Sequence, residues 1–247
     1  MPNHVKNIVT ASEPVIKSML NAENFVDFCC VIPRHDDLLL NDAGGVSFDA
    51  ESLAHLVCKE ARSEQSVIAA LEAANRNSVN AIKMSDESFE QFVMMVRNKR
   101  KHGYYHMMDY ARNAWGTKWN AYGQDVEKNT ETQVEFDTAW SHPLPVIVAL
   151  SKKHPEEVIS VKFADEDTGS NCGSYKIKNG ETFEEDIAPS WRDQTAEQKK
   201  KFTQFAFELR HPGVDPRSYG YNKNWEYDEE AEAEYYAEQE AKANLSN

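Results

Sequence analysis

Residues 132–155 read TQVEFDTAWSHPLPVIVALSKKHP, and the fold turns on how they are divided. The first nine, 132–140, alternate in polarity. Val134, Phe136 and Thr138 or Trp140 fall on one side, as a half-buried strand requires. From 142 the period changes. Prolines stand near the start, Val146, Ile147, Ala149 and Leu150 follow at helical spacing, and the basic residues come last. Proline at a helix start and cations at its end suit the orphan amides and the dipole. A strand followed directly by a helix is therefore expected.

The same pattern extends both ways. Downstream, EEVISVKFADED and NCGSYKIKNGE read as two strands joined by a turn at Thr168–Gly173. Upstream, HVKNIVT (4–10) alternates as a strand. Ser12 then offers an N-cap to a helix carrying Val15, Ile16, Met19 and Leu20 on one face. FVDFCCVIP (25–33) is apolar, rich in strand formers and ended by Pro33, so a further strand is expected there, with a turn at NDAGG (41–45). The element order approaches βαββαβ, the split-βαβ layout of ferredoxin-like domains. The expected fold class is α+β, an antiparallel sheet with helices on one face.

Two segments do not belong to that unit. Between 49 and 114, FDAESLAHLVCKEAR, SEQSVIAALEAANRN and DESFEQFVMMVRNKRK carry apolar residues at helical spacing, with Ser63 and Ser85 or Asp86 as caps. A last helix runs through YYHMMDYARNAW. After 190, TAEQKKKFTQFAFELR spaces Phe202, Phe205, Ala206 and Leu209 to pack. HPGVDPRSYGYN breaks that helix, and EYDEEAEAEYYAEQEAKANL is helix-forming but nearly devoid of apolar residues. The organisation expected is residues 1–48 as the first half of the core, 49–114 as a helical insertion, 115–180 as the second half and 181–247 as a C-terminal extension.

Composition limits the function. The 247 residues are 40% hydrophobic with a mean hydropathy of −0.69. No run of eighteen apolar residues and no basic leader before an apolar stretch occurs, so a soluble, cytoplasmic protein with no membrane partner is expected. Cys29, Cys30, Cys58 and Cys172 lack the short repeated spacing of a zinc site and read as reduced thiols. His102 and His106 are four apart, yet Gly103 intervenes and no further ligand is evident, so no metal is expected. No GxSxG, phosphate-binding loop or GxGxxG motif occurs and no cofactor is implied, which favours a non-enzymatic role.

Charge is uneven. The net charge is −14, yet 97–112 (RNKRKHGYYHMMDYAR) holds five cations against one acid, while 226–247 holds eight acids against one lysine. Basic residues interleaved with rings suit phosphate contact and base stacking. The candidate surface includes Lys99, Arg100, Lys101, Tyr104, Tyr105 and Arg112. It continues into WGTKWNAY (115–122), whose strand-like spacing would turn Lys118, Asn120 and Tyr122 outward and Thr117, Trp119 and Ala121 inward. Trp115 is expected in the core or at that surface. The acidic tail reads either as a solvated helix or as a carboxylate strip imitating nucleic acid, with the pairs Tyr219/Tyr221 and Tyr235/Tyr236 as anchors.

Taken together, MPNHVKN at the start, YY-x6-ARNAWGTKWNAY in the middle and VEFDTAWSHPLPVIVALSKKHP after it resemble the YubB-like family of phage and conjugative-plasmid proteins. The resemblance covers about residues 1–180. It implies a ferredoxin-like domain and a mobile-element context, hence host takeover, counter-defence or DNA transfer, and it supplies no catalytic residues. The expected function is binding of a host macromolecule, such as a nuclease or other defence component. The rival is a single-stranded nucleic-acid-binding module that uses the sheet and the 97–122 patch.

Overall fold

The computed structural model describes residues 2–41, 45–58, 67, 70 and 81–245. The chain divides into two compact units, one of Met1–Val31 with Asn120–Asn247, the other of Ile32–Trp119. The helix expected at 63–77 and the centre of the turn expected at 41–45 lie outside the described residues.

The first unit is built on five strands: β1 (His4–Thr10), β2 (Gln133–Ala139), β3 (Ile159–Asp165), β4 (Cys172–Lys178) and β5 (Glu181–Ile187). Their order is β2-β1-β3-β4-β5, antiparallel throughout. Alternation places Val5, Asn7 and Val9 on the buried face of β1. The register sets Val9 beside Val134 and Val161, and Asn7 beside Phe136 and Phe163. Helix α1 (Glu13–Lys17) buries Val15 and Ile16, and helix α5 (Leu144–Lys153) buries Val146, Ile147 and Leu150. The two are neighbours, since Ser18 Oγ lies 2.9 Å from His154 Nε2. Because β2 and β3 both flank β1 and α5 joins them, β2-α5-β3 is a split βαβ unit. Helix α6 (Ala196–Arg210) covers part of the opposite face, where Phe202 and Ala206 meet Ala164 and Cys172. Its start is a capping box between Thr195 and Gln198. Helix α7 (Glu229–Leu245) ends the chain.

The second unit holds α2 (Phe48–Cys58), α3 (Asp86–His102) and α4 (Met107–Ala114). Its core gathers Leu40, Ala50, Ala54, Met95 and Tyr105. Ser85 caps α3 by accepting from Ser88 N, one of the two caps expected. Gly103 ends the helix in the left-handed conformation, φ 82°, and its N–H donates to Lys99 O. An added Cβ there meets nothing within 4 Å, so Gly103→Ala should cost only the backbone term, about 1 kcal/mol in urea denaturation. No loss of stability would mean that the cap is not held in that conformation.

The α+β class with an antiparallel sheet is as the alternation predicted. Two local expectations fail, and one strand has no counterpart among them. Residues 25–33 are not a strand. Asp27 accepts from Cys29 N at 2.8 Å and starts a short 3-10 turn at Phe28–Cys30. Residues 117–122 form no strand either. Asn120 turns its side chain onto Phe28 N and Ala121 N, and only Tyr122 pairs, with Asp137 of β2. β5 was not foreseen because ETFEEDI is exposed along its whole length and so has no apolar alternation. Among the described residues no helix is long and apolar enough to cross a membrane.

Candidate functional site

The basic patch dissolves into individual contacts. In the second unit, Tyr105 and Trp115 are 1% and 0% exposed, which removes both from any binding surface. Trp115 Nε1 donates to Ile32 O at 3.0 Å, and its ring meets Tyr110 edge-on at 5.6 Å. Tyr110 donates to Pro33 O, and Tyr104 packs edge-on against Tyr110. Lys99 lies 4.8 Å from the centre of the Tyr105 ring. Lys101 and His102 bind Asp37, and their hydrogen bonds hold its carboxyl down at about 2. Arg100 and Arg112 are exposed. The patch therefore keeps surface cations, but the rings that would stack on bases are largely turned inward.

His102 and His106 do not share a helical face. Gly103 ends α3 between them. His102 stacks on His35, whereas His106 is the buried N-cap of α4 and lies 3.3 Å from Glu51. Among the described residues no three His, Cys, Asp or Glu side chains converge on a metal position.

Of the remaining motif residues, Lys118 lies 4.6 Å from the centre of the Trp119 ring. In the first unit Asn120 and Tyr122 are committed to the fold rather than turned outward. Asn120 Nδ2 donates to Asp27 Oδ1 at 2.8 Å, and Tyr122 Oη lies 2.7 Å from His4 Nδ1. The sheet face away from α1 and α5 presents Lys6, Ile8, Ser160, Lys162, Ser174 and Lys176. On β1, β3 and β4 that face has no phenylalanine, tyrosine or tryptophan, while on β5 the exposed Phe183 stands beside Lys176.

The C-terminal helix is strongly acidic and largely exposed. Ala231 is its only buried residue among those described. Six of its residues are glutamates and one is lysine. At 1.5 Å per residue the helix is about 25 Å long, or about one net negative charge per 5 Å. Single-stranded nucleic acid carries about one per 3.4 Å and a duplex about one per 1.7 Å. A side-chain clamp from outside the helix reaches it. Arg217 holds Asp215 at 2.9 Å and Glu238 at 3.0 Å, and its guanidinium lies 5.7 Å from the Tyr235 ring centre. The clamp holds the Glu238 and Asp215 carboxyls below their ordinary range and raises Arg217. Glu229, Glu230, Glu232, Glu234 and Glu240 make no ion pair among the described residues. Tyr236 remains 54% exposed and meets Tyr235 edge-on. Sequence reasoning found the carboxylates and the tyrosine pair but missed Arg217, whose signal is only an Asp-Pro-Arg turn.

Comparison with known proteins adds fold information. Residues 115–206 match the family model described as a ferredoxin-like domain in Api92-like protein. A solved structure, that of protein api92 from Yersinia pseudotuberculosis, aligns over 77% of this chain and 99% of its own, at 9% identity and a TM-score of 0.33. No curated protein matches the sequence. The region from 115 to 206 is thus similar to the ferredoxin-like domain of Api92-like proteins.

Proposed function

We propose that this chain is a non-enzymatic accessory protein of a phage or conjugative plasmid that binds a basic host protein in the cytoplasm and so blunts a defence system. The partner is a DNA-binding component such as a nuclease, and α7 is the surface that engages it. The observation that carries this reading is the clamped helix, whose net negative charge runs at about two-thirds of the linear density of a single strand. A solvated tail kept only for solubility needs no such anchor, whereas a rod that must present charge in register gains from one.

The test captures partners from host lysate after nuclease treatment. It compares the wild type with a full-length variant in which Glu229, Glu230, Glu232, Glu234 and Glu240 are glutamine. A basic DNA-binding protein should be retained by the wild type, competed off by DNA, and lost with the variant. Retention of nucleic acid alone, sensitive to nuclease, would remove this reading in favour of the 97–112 cations.

A further inference from the structure

A cleft of about 750 Å3 opens on the first unit between α6 and the hairpin that precedes α7. Four rings line it: Trp191, Tyr221, Trp225 and Tyr227. Tyr221 and Trp225 lean on Phe207 of α6, with ring centres 5.6 Å away in each case. Tyr227 is 66% exposed. Glu197 and Glu226 stand among the rings and make no ion pair among the described residues.

The hairpin has a counterpart in the same unit. Asn21 N donates to Phe25 O, Asn24 N to Asn21 O, and Asn21 Oδ1 accepts from Glu23 N and Phe25 N. At the hairpin, Asn222 N donates to Glu226 O, Trp225 N to Asn222 O, and Asn222 Oδ1 accepts from Asn224 N and Glu226 N. The fourth residue is left-handed in both, φ 62° at Asn24 and φ 62° at Trp225. Asparagine tolerates that conformation; a bulky tryptophan is an outlier there. The loop closes with asparagine at this place, so the indole is not required for the turn. Strain kept at an aromatic residue points from the outlier toward function.

Charge indicates the ligand. Lys199 lies 4.8 Å from the centre of the Trp191 ring, so one indole of this cleft already carries a cation on its face. Lys200 also lines the cleft and opposes further positive charge. Against it stand Glu197 and Glu226, and Tyr227 leads within two residues to the acidic first turn of α7. A planar guanidinium stacks on ring faces and presents a fork of donors to carboxylates.

We propose that this aromatic cleft anchors an arginine side chain of a basic partner segment. The proposal rests on the reading of α7 as the partner-facing surface and adds the contact that gives it specificity. The probe is a fluorescent oligoarginine peptide, followed by anisotropy at low salt, with oligothymidylate as the comparison. The full-length wild type should bind the peptide. Trp225→Asn, which installs the residue found in the counterpart loop, and Tyr227→Ala, at an exposed ring, should each weaken binding about tenfold or more. Lys200→Glu should tighten it. Peptide affinity that ignores all three substitutions, or that falls with Lys200→Glu, overturns the proposal. So does oligothymidylate binding that Trp225→Asn abolishes, which would make the cleft a base-stacking site. If the α7 glutamine variant loses the peptide while Trp225→Asn and Tyr227→Ala keep it, the acidic helix stands and the cleft falls. The reverse pattern keeps the cleft and discards the helix.

Discussion

Trp115→Ala should destabilise the Ile32–Trp119 unit by about 3–5 kcal/mol, the range for deleting a large buried aromatic. The ring is fully buried. Its removal opens a cavity beside Tyr110, whose own hydroxyl is committed to Pro33 O at 2.7 Å, so the neighbour is poorly placed to collapse inward. The substitution also withdraws the indole N–H from Ile32 O, a loss of about 1 kcal/mol. Such a sum is a large share of the 5–15 kcal/mol that holds a typical domain. Trp115→Phe should recover most of the packing while still losing the hydrogen bond to Ile32 O, and so fall between the wild type and Trp115→Ala. Trp119→Ala, at the half-buried second tryptophan of the motif, should cost distinctly less. Urea denaturation followed by circular dichroism measures all three. A loss below about 1 kcal/mol for Trp115→Ala would show that the ring is not a core element.

These two tryptophans also show where sequence reasoning stops. Periodicity reports which side of an element is apolar, and it served where an element has one wet and one dry face. The alternation of Val134 and Phe136, and the prolines ahead of Val146 and Ile147, marked β2 and α5 correctly. It failed where side chains bond to backbone. Asp27 and Asn120 each redirect a segment whose composition favours a strand. It failed again at β5, which buries nothing. Site legibility followed the same division. The carboxylates of α7 are visible as composition, but the inward turn of Tyr105 and Trp115 depends on α3 and α4 meeting other parts of their unit. The cleft is harder still, because Trp191 and Tyr227 are 36 residues apart and no local pattern joins them. The counterpart hairpins were legible in principle. Both read Asn-x-x-x-x-x-Asp, from Asn21 to Asp27 and from Asn222 to Asp228, but the spacing is too short to announce itself against a background of polar turns.

The second large effect is acid lability of the first unit, centred on His142. Its residue is half-buried, yet both ring nitrogens are engaged. Nδ1 lies 2.9 Å from Asn7 Oδ1 and Nε2 lies against the Tyr175 hydroxyl, while Phe163 stacks on the ring at 4.6 Å. Asn7 spends its amide on Val5 O and Thr138 Oγ1, which leaves only its oxygen for the imidazole. Nδ1 therefore carries the proton and Nε2 accepts from Tyr175, so the folded site wants a neutral ring. Burial pushes the imidazole down to about 3, and burial also holds the Tyr175 phenol protonated. An unfolded histidine titrates near 6.5. The unfolded chain thus takes up the proton first. The stabilisation is fully present above about 6.5 and is lost as pH falls toward 3, at about 1.4 kcal/mol per pH unit. His211, lowered by burial and by Arg210, adds in the same direction. Asp37, in the other unit, loses its contribution only as pH falls from its ordinary range toward 2. Asp137, raised by burial, opposes them, because a folded carboxyl that binds its proton more readily favours the native state as pH drops. His142→Gln can hydrogen-bond to Asn7 and Tyr175 but cannot titrate. Urea denaturation between pH 7 and pH 4.5 should show the wild type losing its advantage over this variant by about 1.4 kcal/mol per unit below 6.5. Parallel stability curves would mean that the ring takes up its proton as readily folded as unfolded and that the Asn7–His142–Tyr175 chain is not the acid-sensitive element of the sheet.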